Sequence, residues 1–150
     1  MSASIAWATS TFNELSTHAL YGILQLRQNV FIIEQDCLYP DLDDLDQDAM
    51  HMTGRNGESL QAYQRCLAPG VCYQESSIGR IIVAPSARGT QLGRELVQRG
   101  IDHNRSQWPD HGIQIGAQAQ LTKFYSSLGF VSLEDEYMED GILHVHMLLE

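Results

Sequence analysis

The chain has 150 residues, 43% of them hydrophobic, the size of one ordinary domain with a buried core, so a single domain over residues 1–150 is expected. A formal charge of −10, with only nine Lys and Arg scattered along the chain, excludes the clustered cations that a nucleic-acid binder needs. No window approaches the roughly 18 uninterrupted apolar residues of a membrane span, and the N-terminus lacks a secretory signal. The cysteines Cys37, Cys66 and Cys72 form neither an even set nor a Cys-x-x-Cys pair, which together predicts a reduced, cytoplasmic protein.

Ser4 to Thr9 alternates around Ile5 and Trp7 and reads as a first strand. Leu20, Ile23, Leu24, Arg27, Val30 and Phe31 recur at three- and four-residue spacing, predicting a helix from about Thr17 to Phe31 capped by Ser16 or Thr17. Ala49 to Gly54 and Ser59 to Leu67 flank Arg55-Asn56-Gly57-Glu58, a hairpin signal. Ser77 to Val83, ahead of Pro85, supplies a fourth strand, and a helix follows from about Thr90 to Ser106 with Leu92, Leu96, Val97 and Ile101 inward. Gly112 to Ala117 reads as a fifth strand and Gln120 to Leu128 as a short helix. Phe130 to Met138 and Leu143 to Leu149 read as a closing hairpin around Glu139-Asp140-Gly141-Ile142. This order predicts an α/β (α+β) domain with a mixed, mostly antiparallel sheet and helices on both faces.

Glu34, Asp36, Asp41, Asp43, Asp44, Asp46 and Asp48 occur with no intervening cation. Two readings stand: an acidic rim that attracts a cationic amine, or a solvated loop that aids solubility. A calcium loop is excluded, because a register starting at Asp44 puts Ala49 where Gly is needed and Arg55 where Glu is needed. His144 and His146 share one strand face, but two ligands without a third do not make a metal site, and no metal is expected.

Ile81-Ile82-Val83-Ala84-Pro85-Ser86-Ala87-Arg88-Gly89-Thr90-Gln91-Leu92-Gly93-Arg94 runs from a strand through a loop into a helix. Free backbone N–H groups at a helix N-terminus, aided by the helix dipole, form an anion site. Gly89 and Gly93 let the main chain approach a ligand, Arg88 and Arg94 add positive charge, and Leu92 anchors the helix. Neither Gly-x-x-x-x-Gly-Lys nor Gly-x-Gly-x-x-Gly is present. About thirty residues on comes Phe124-Tyr125-Ser126-Ser127-Leu128-Gly129-Phe130.

This pairing resembles the GNAT superfamily of N-acetyltransferases, which move an acetyl group from acetyl-coenzyme A to an amine. Nearly the whole chain shares the likeness: Arg27 to Cys37, Gly116 to Gln120 and Glu139 to His144 are similar to its ElaA-like subgroup. The resemblance implies a sheet splayed between the fourth and fifth strands around acetyl-coenzyme A. It assigns Arg88, Gly89, Thr90, Gln91, Leu92, Gly93 and Arg94 to the pyrophosphate. Gln91 stands where Gly is usual, and a residue there with φ below zero can still offer its amide. Gln118, where the family commonly has Asn, is expected at the pantetheine arm, and a backbone amide among Ile81, Ile82 and Val83 is expected to polarise the thioester carbonyl. Tyr125, separated from Gly129-Phe130 by three residues, is expected to protonate the departing thiolate.

A lysine-like amine is neutral at pH 7 only about one part in a thousand, a penalty of roughly 4 to 5 kcal/mol, so a base or water chain is needed. Glu34 and His144 are the candidates. The resemblance thus implies direct attack by a primary amine of a small molecule or peptide in a ternary complex. The competing reading is a non-catalytic acyl-coenzyme A-binding or regulatory module of the same fold. No Gly-x-Ser-x-Gly elbow supports a hydrolase. The acceptor amine stays open, as does a homodimer.

Overall fold

A computed structural model describes residues 4–133 and 136–150. The elements run β1 (Ala6–Thr11), α1 (Thr17–Arg27), β2 (Met50–Asn56), β3 (Ser59–Leu67), β4 (Ser77–Val83) and α2 (Leu92–Gln107). They continue with β5 (Ile113–Gln118), α3 (Thr122–Ser126), β6 (Val131–Ser132), β7 (Tyr137–Glu139) and β8 (Ile142–Leu149). Strands β1-β2-β3-β4 form one antiparallel sheet, and β5, β8 and β6 form a second in which β7 also pairs β8. No helix among the described residues is long and apolar enough to cross a membrane.

The two sheets meet where Ser76 bridges Ile113 in parallel sense, with Gln114 N–H donating to Ser76 O at 2.8 Å. Beyond that point no ladder joins β4 to β5 among the described residues, so the sheet is open where the resemblance places the splay. A bulge helps to open it. Ile82 faces Tyr63 and Gly79 faces Arg65, which sets three steps on β4 against two on β3, and Arg80 between them takes φ 50°. An inserted residue bends its strand and increases its twist.

Helices cover both faces of the first sheet because neighbouring strand residues point opposite ways. Tyr63 and Ile82 pack with Ile23 and Val30 beneath α1 and the turns after it, whereas Ala62 packs with Leu92 and Leu96 of α2. Val97 and Ile101 extend the α2 side into a core with Ile113, Ile115, Phe130, Val145 and Met147. Gly100 brings the α2 backbone against the sheet, since a Cβ there would collide with the Gln64 side chain.

Element boundaries depart from expectation for identifiable reasons. The first strand lies two residues later than Ser4 to Thr9. The first helix leaves α geometry at Arg27 and continues as a π-helical stretch, Gln28–Glu34. Ser16 is its cap, accepting from Ala19 N–H at 3.0 Å. The β2–β3 turn is Gly57-Glu58, with Asn56 paired to Ser59. The second helix starts at Leu92, two residues late, because Gln91 is left-handed. Ala119–Leu121 is 3-10, which delays α3. The closing hairpin turns at Asp140-Gly141, with φ 50° and 81°, the two positive angles a tight Asp-Gly turn requires. The single strand expected from Phe130 to Met138 is two, β6 and β7; Glu134 and Asp135 in that stretch lie outside the described residues.

Candidate active site

The segment after β4 makes a 3-10 turn at Pro85–Ala87 and then enters α2. Gly89 takes φ 81°, and a Cβ there would meet open space. Gln91 takes φ 66°, correcting the expectation of a negative φ: the residue standing where the family uses Gly keeps the conformation Gly favours. At the start of a 16-residue helix the amides of Leu92, Gly93 and Arg94 have no intrahelical acceptor. They border a hollow of about 310 Å³ lined also by Val83, Arg88, Gly89 and Phe124. Leu92 is buried and Thr90 Oγ1 donates to Ala87 O at 2.6 Å, so both shape the turn. Arg94 donates to Ser127 Oγ at 2.8 Å and ties α2 to the end of α3.

Arg88 is already engaged. Its guanidinium meets Glu34 in a fork, Nη1 to Oε2 at 2.5 Å and Nη2 to Oε1 at 2.9 Å, while Nε donates to Val83 O at 3.2 Å. The hydrogen bond from Arg88 holds the Glu34 carboxyl below its usual range. A carboxylate so paired is a poor proton acceptor, which separates Glu34 from the other candidate base.

A second cavity, of about 470 Å³, occupies the gap between β4 and β5 and is lined by Ile81, Gln118, Tyr125, His144, Tyr39 and Arg80, among others. Ile82 is turned away into the core beneath α1, so only its backbone is available. Tyr125 is buried, its ring edge-on to Phe124 at 5.1 Å and to Phe130 at 6.0 Å. Burial pushes its phenol up to about 12, so it stays protonated at neutral pH. Phe124 lines the hollow at the α2 N-terminus and Tyr125 lines the cavity, so α3 contributes to the wall of both.

His144 Nδ1 lies 2.8 Å from Ile142 O. A carbonyl only accepts, so Nδ1 carries the proton and Nε2 keeps its lone pair. The cavity therefore brings Tyr125, Gln118, Ile81 and His144 together, and leaves Glu34 out.

The acidic run is neither a free rim nor a purely solvated loop. Arg27, buried on α1, donates to Asp41 Oδ2 at 2.9 Å and Asp46 Oδ1 at 2.7 Å. Arg65 reaches Asp46 at 3.0 Å and Asp43 at 2.5 Å, and Arg80 pairs with Asp41 at 2.8 Å. Burial opposes the charge on Asp43, but the Arg65 guanidinium outweighs it and draws the carboxyl down to about 2. His51 sits at the base of this network, Nε2 2.8 Å from Asp46 O and Nδ1 2.7 Å from the Tyr63 hydroxyl. Burial lowers its proton affinity and keeps it neutral. Sequence reading missed the network; its one visible sign was Arg27 on an otherwise apolar helix stripe, since a buried charge requires a partner. Among the described residues no group of three or more His, Cys, Asp or Glu is placed to hold a metal.

The acetyltransferase (GNAT) domain family matches residues 45–150. Protein ElaA of Escherichia coli is 40% identical over 148 residues, covering 97% of each chain, and its crystal structure superposes with a TM-score of 0.92 over 98% of this chain and 100% of that one. An acyl-CoA N-acyltransferase structure from Pseudomonas aeruginosa gives a TM-score of 0.93 at 35% identity, covering 98% of this chain and 100% of that one. A Salmonella typhimurium structure solved with its cofactor acetyl-CoA shares the fold, with a TM-score of 0.69 at 15% identity over 100% and 94% of the chains. A split sheet, a helix N-terminus at its opening and these likenesses converge: the chain belongs to the GNAT acetyltransferase family, in its ElaA-like branch.

Proposed function

We propose that the protein transfers an acetyl group from acetyl-coenzyme A to a primary amine in a ternary complex, in the reducing cytoplasm. One observation carries the reading: a protonated, buried phenol and an imidazole with a basic Nε2 line the same cavity in the β4/β5 gap, next to a helix N-terminus suited to a pyrophosphate. The residues present fit that cosubstrate, since Gly89 stands in open space and the positive φ of Gly89 and Gln91 turns the chain into the α2 N-terminus, where the helix dipole is positive.

Acetyl-coenzyme A supplies an activated acyl thioester; the chain supplies position and proton control. The amides of Leu92, Gly93 and Arg94 hold the pyrophosphate, joined by Arg88 as it exchanges Glu34 for phosphate oxygens. Gln118 orients the pantetheine arm. A β4 amide among residues 81–83, on an edge freed from β5, donates to the thioester oxygen as charge builds there. Tyr125 donates to the sulfur. A phenol near 12 is a weak acid beside a thiol near 8.5, so its proton moves as the C–S bond breaks, and burial that raises the phenol raises a thiol formed beside it as well. His144 Nε2 takes the proton of the acceptor, an amine from the cationic class.

Replacing Tyr125 with Phe tests this: turnover falls by roughly 10²-fold with acetyl-coenzyme A affinity, read by calorimetry, unchanged. Equal turnover by the two proteins would remove Tyr125 from the reaction. A non-catalytic acyl-coenzyme A-binding module is the competing reading, favoured by the commitment of Glu34 to Arg88. It predicts cofactor binding without turnover on any amine.

A further inference from the structure

We propose that Glu139 is a positioning residue for proton removal from the acceptor, acting through His144; the inference rests on the N-acetyltransferase reading above. Glu139 closes β7 and pairs with Ile142 across the Asp140-Gly141 turn. That same Ile142 offers the carbonyl that accepts His144 Nδ1–H at 2.8 Å. The hairpin therefore fixes the tautomer and presents Nε2 3.8 Å from Glu139 Oε2. Tyr137 of β7 stacks on the imidazole at 5.7 Å and 26°, which holds its plane.

Exposure divides the labour between the two groups. The His144 side chain is 12% exposed and forms part of the cavity wall, whereas that of Glu139 is 60% exposed and reaches water. Ionisable groups around the imidazole come from several elements. From β5, its register neighbour Gln118 carries no charge. From the turn, Asp140 also borders the cavity; its backbone carbonyl accepts from the Cys37 thiol at 2.9 Å, and Glu139 is the carboxylate whose oxygen lies 3.8 Å from Nε2. The cavity lining also includes the neutral phenols of Tyr39, Tyr73 and Tyr125, the Cys72 thiol, and Asp43 with Arg65 and Arg80, which are paired with one another, while on β8 His146 stacks on the same Tyr137 ring at 4.5 Å. Glu139 is the carboxylate that meets Nε2.

The step balances. The amine nitrogen forms a bond to the acyl carbon, the C–S bond breaks, and its electron pair goes to sulfur. The acceptor ammonium gives up two protons in all: one restores the Tyr125 phenol, which has given its own proton to the released thiol, and the other passes to His144 Nε2 and out to water. Glu139 supplies the counter-charge for the imidazolium formed in between, and its exposed carboxylate gives the proton a route to solvent.

Two measurements on the full chain test this. With a responding amine, Glu139→Gln lowers kcat several-fold at unchanged acetyl-coenzyme A affinity and moves the acidic limb of the rate profile down by about half a pH unit. Glu139→Asp restores most of the loss, and Glu139→Gln adds nothing in a His144→Gln background. An unshifted limb, or additive losses, overturns the proposal. NMR titration of the His144 imidazole needs no turnover: its midpoint falls in Glu139→Gln, and an unmoved midpoint overturns the pairing. Failure of every amine to react, with the midpoint shift intact, would instead count against the N-acetyltransferase reading.

Discussion

Gln91 shows how one backbone angle can outlast a change of side chain. At φ 66° it sits in the left-handed region, where a residue with a Cβ loses roughly 1–2 kcal/mol. Glycine there removes that cost but gives back about 0.4–1 kcal/mol through the greater freedom of the unfolded chain. Gln91→Gly is therefore expected to stabilise the fold by about 0.5–1 kcal/mol, a rise of a few degrees at most in Tm by scanning calorimetry, while acetyl-coenzyme A affinity holds or improves. A fall in Tm would mean that the side chain makes a contact worth more than the strain. The angle was not legible in the sequence. Only the resemblance marked position 91 as unusual, and a non-glycine residue there suggested the opposite sign of φ.

At the level of elements, the π-helical end of the first helix and the loop between β4 and α2 are joined by the Glu34–Arg88 fork, 54 residues apart in the chain. Glu34→Gln separates two roles. If Glu34 only holds Arg88, the variant frees the guanidinium and acetyl-coenzyme A affinity rises a few-fold with turnover preserved; if Glu34 is the base, turnover drops by 10² or more. Equilibrium binding and steady-state rates on the same sample distinguish them. Beneath the same helix, Arg27 is fully buried between Asp41 and Asp46. Arg27→Ala leaves two partly buried carboxylates short of their partner and is expected to cost about 3–5 kcal/mol in urea denaturation. The strands and helices themselves were largely readable from periodicity, and the Asp140-Gly141 and Gly57 turns from their residues. The β4 bulge was not, because it exists only in the register between β3 and β4. The arginine partners of the acidic run were hidden for the same reason: Asp41 meets Arg27 from 14 residues away and Arg80 from 39.

The whole molecule carries its negative charge unevenly, with Asp41, Asp43 and Asp46 pinned by arginines inside the fold. Asp43 has its folded value drawn down to about 2 from the usual 3.8, so its contribution is present above about pH 4 and lost as pH falls toward 2. His51 is likewise held neutral below its usual value of 6.5, so the unfolded chain takes up a proton that the folded chain refuses, and stability begins to fall under that pH. Denaturation followed by circular dichroism from pH 7 to pH 2 should show both phases, the lower one shallower in Asp43→Asn. A profile flat down to pH 3 would contradict the network. Above this scaffold lie the split sheet, the α2 N-terminus and the Tyr125–His144 cavity, legible in outline from two motifs and in detail only once folded. Acetyl transfer to an amine is read out by thiol release from acetyl-coenzyme A across polyamines, amino acids, aminoglycosides and lysine peptides, where amine-dependent release is expected. The account predicts amine-dependent thiol release matched one to one by acetylated product; acetyl-coenzyme A binding with no thiol released on any amine would contradict it.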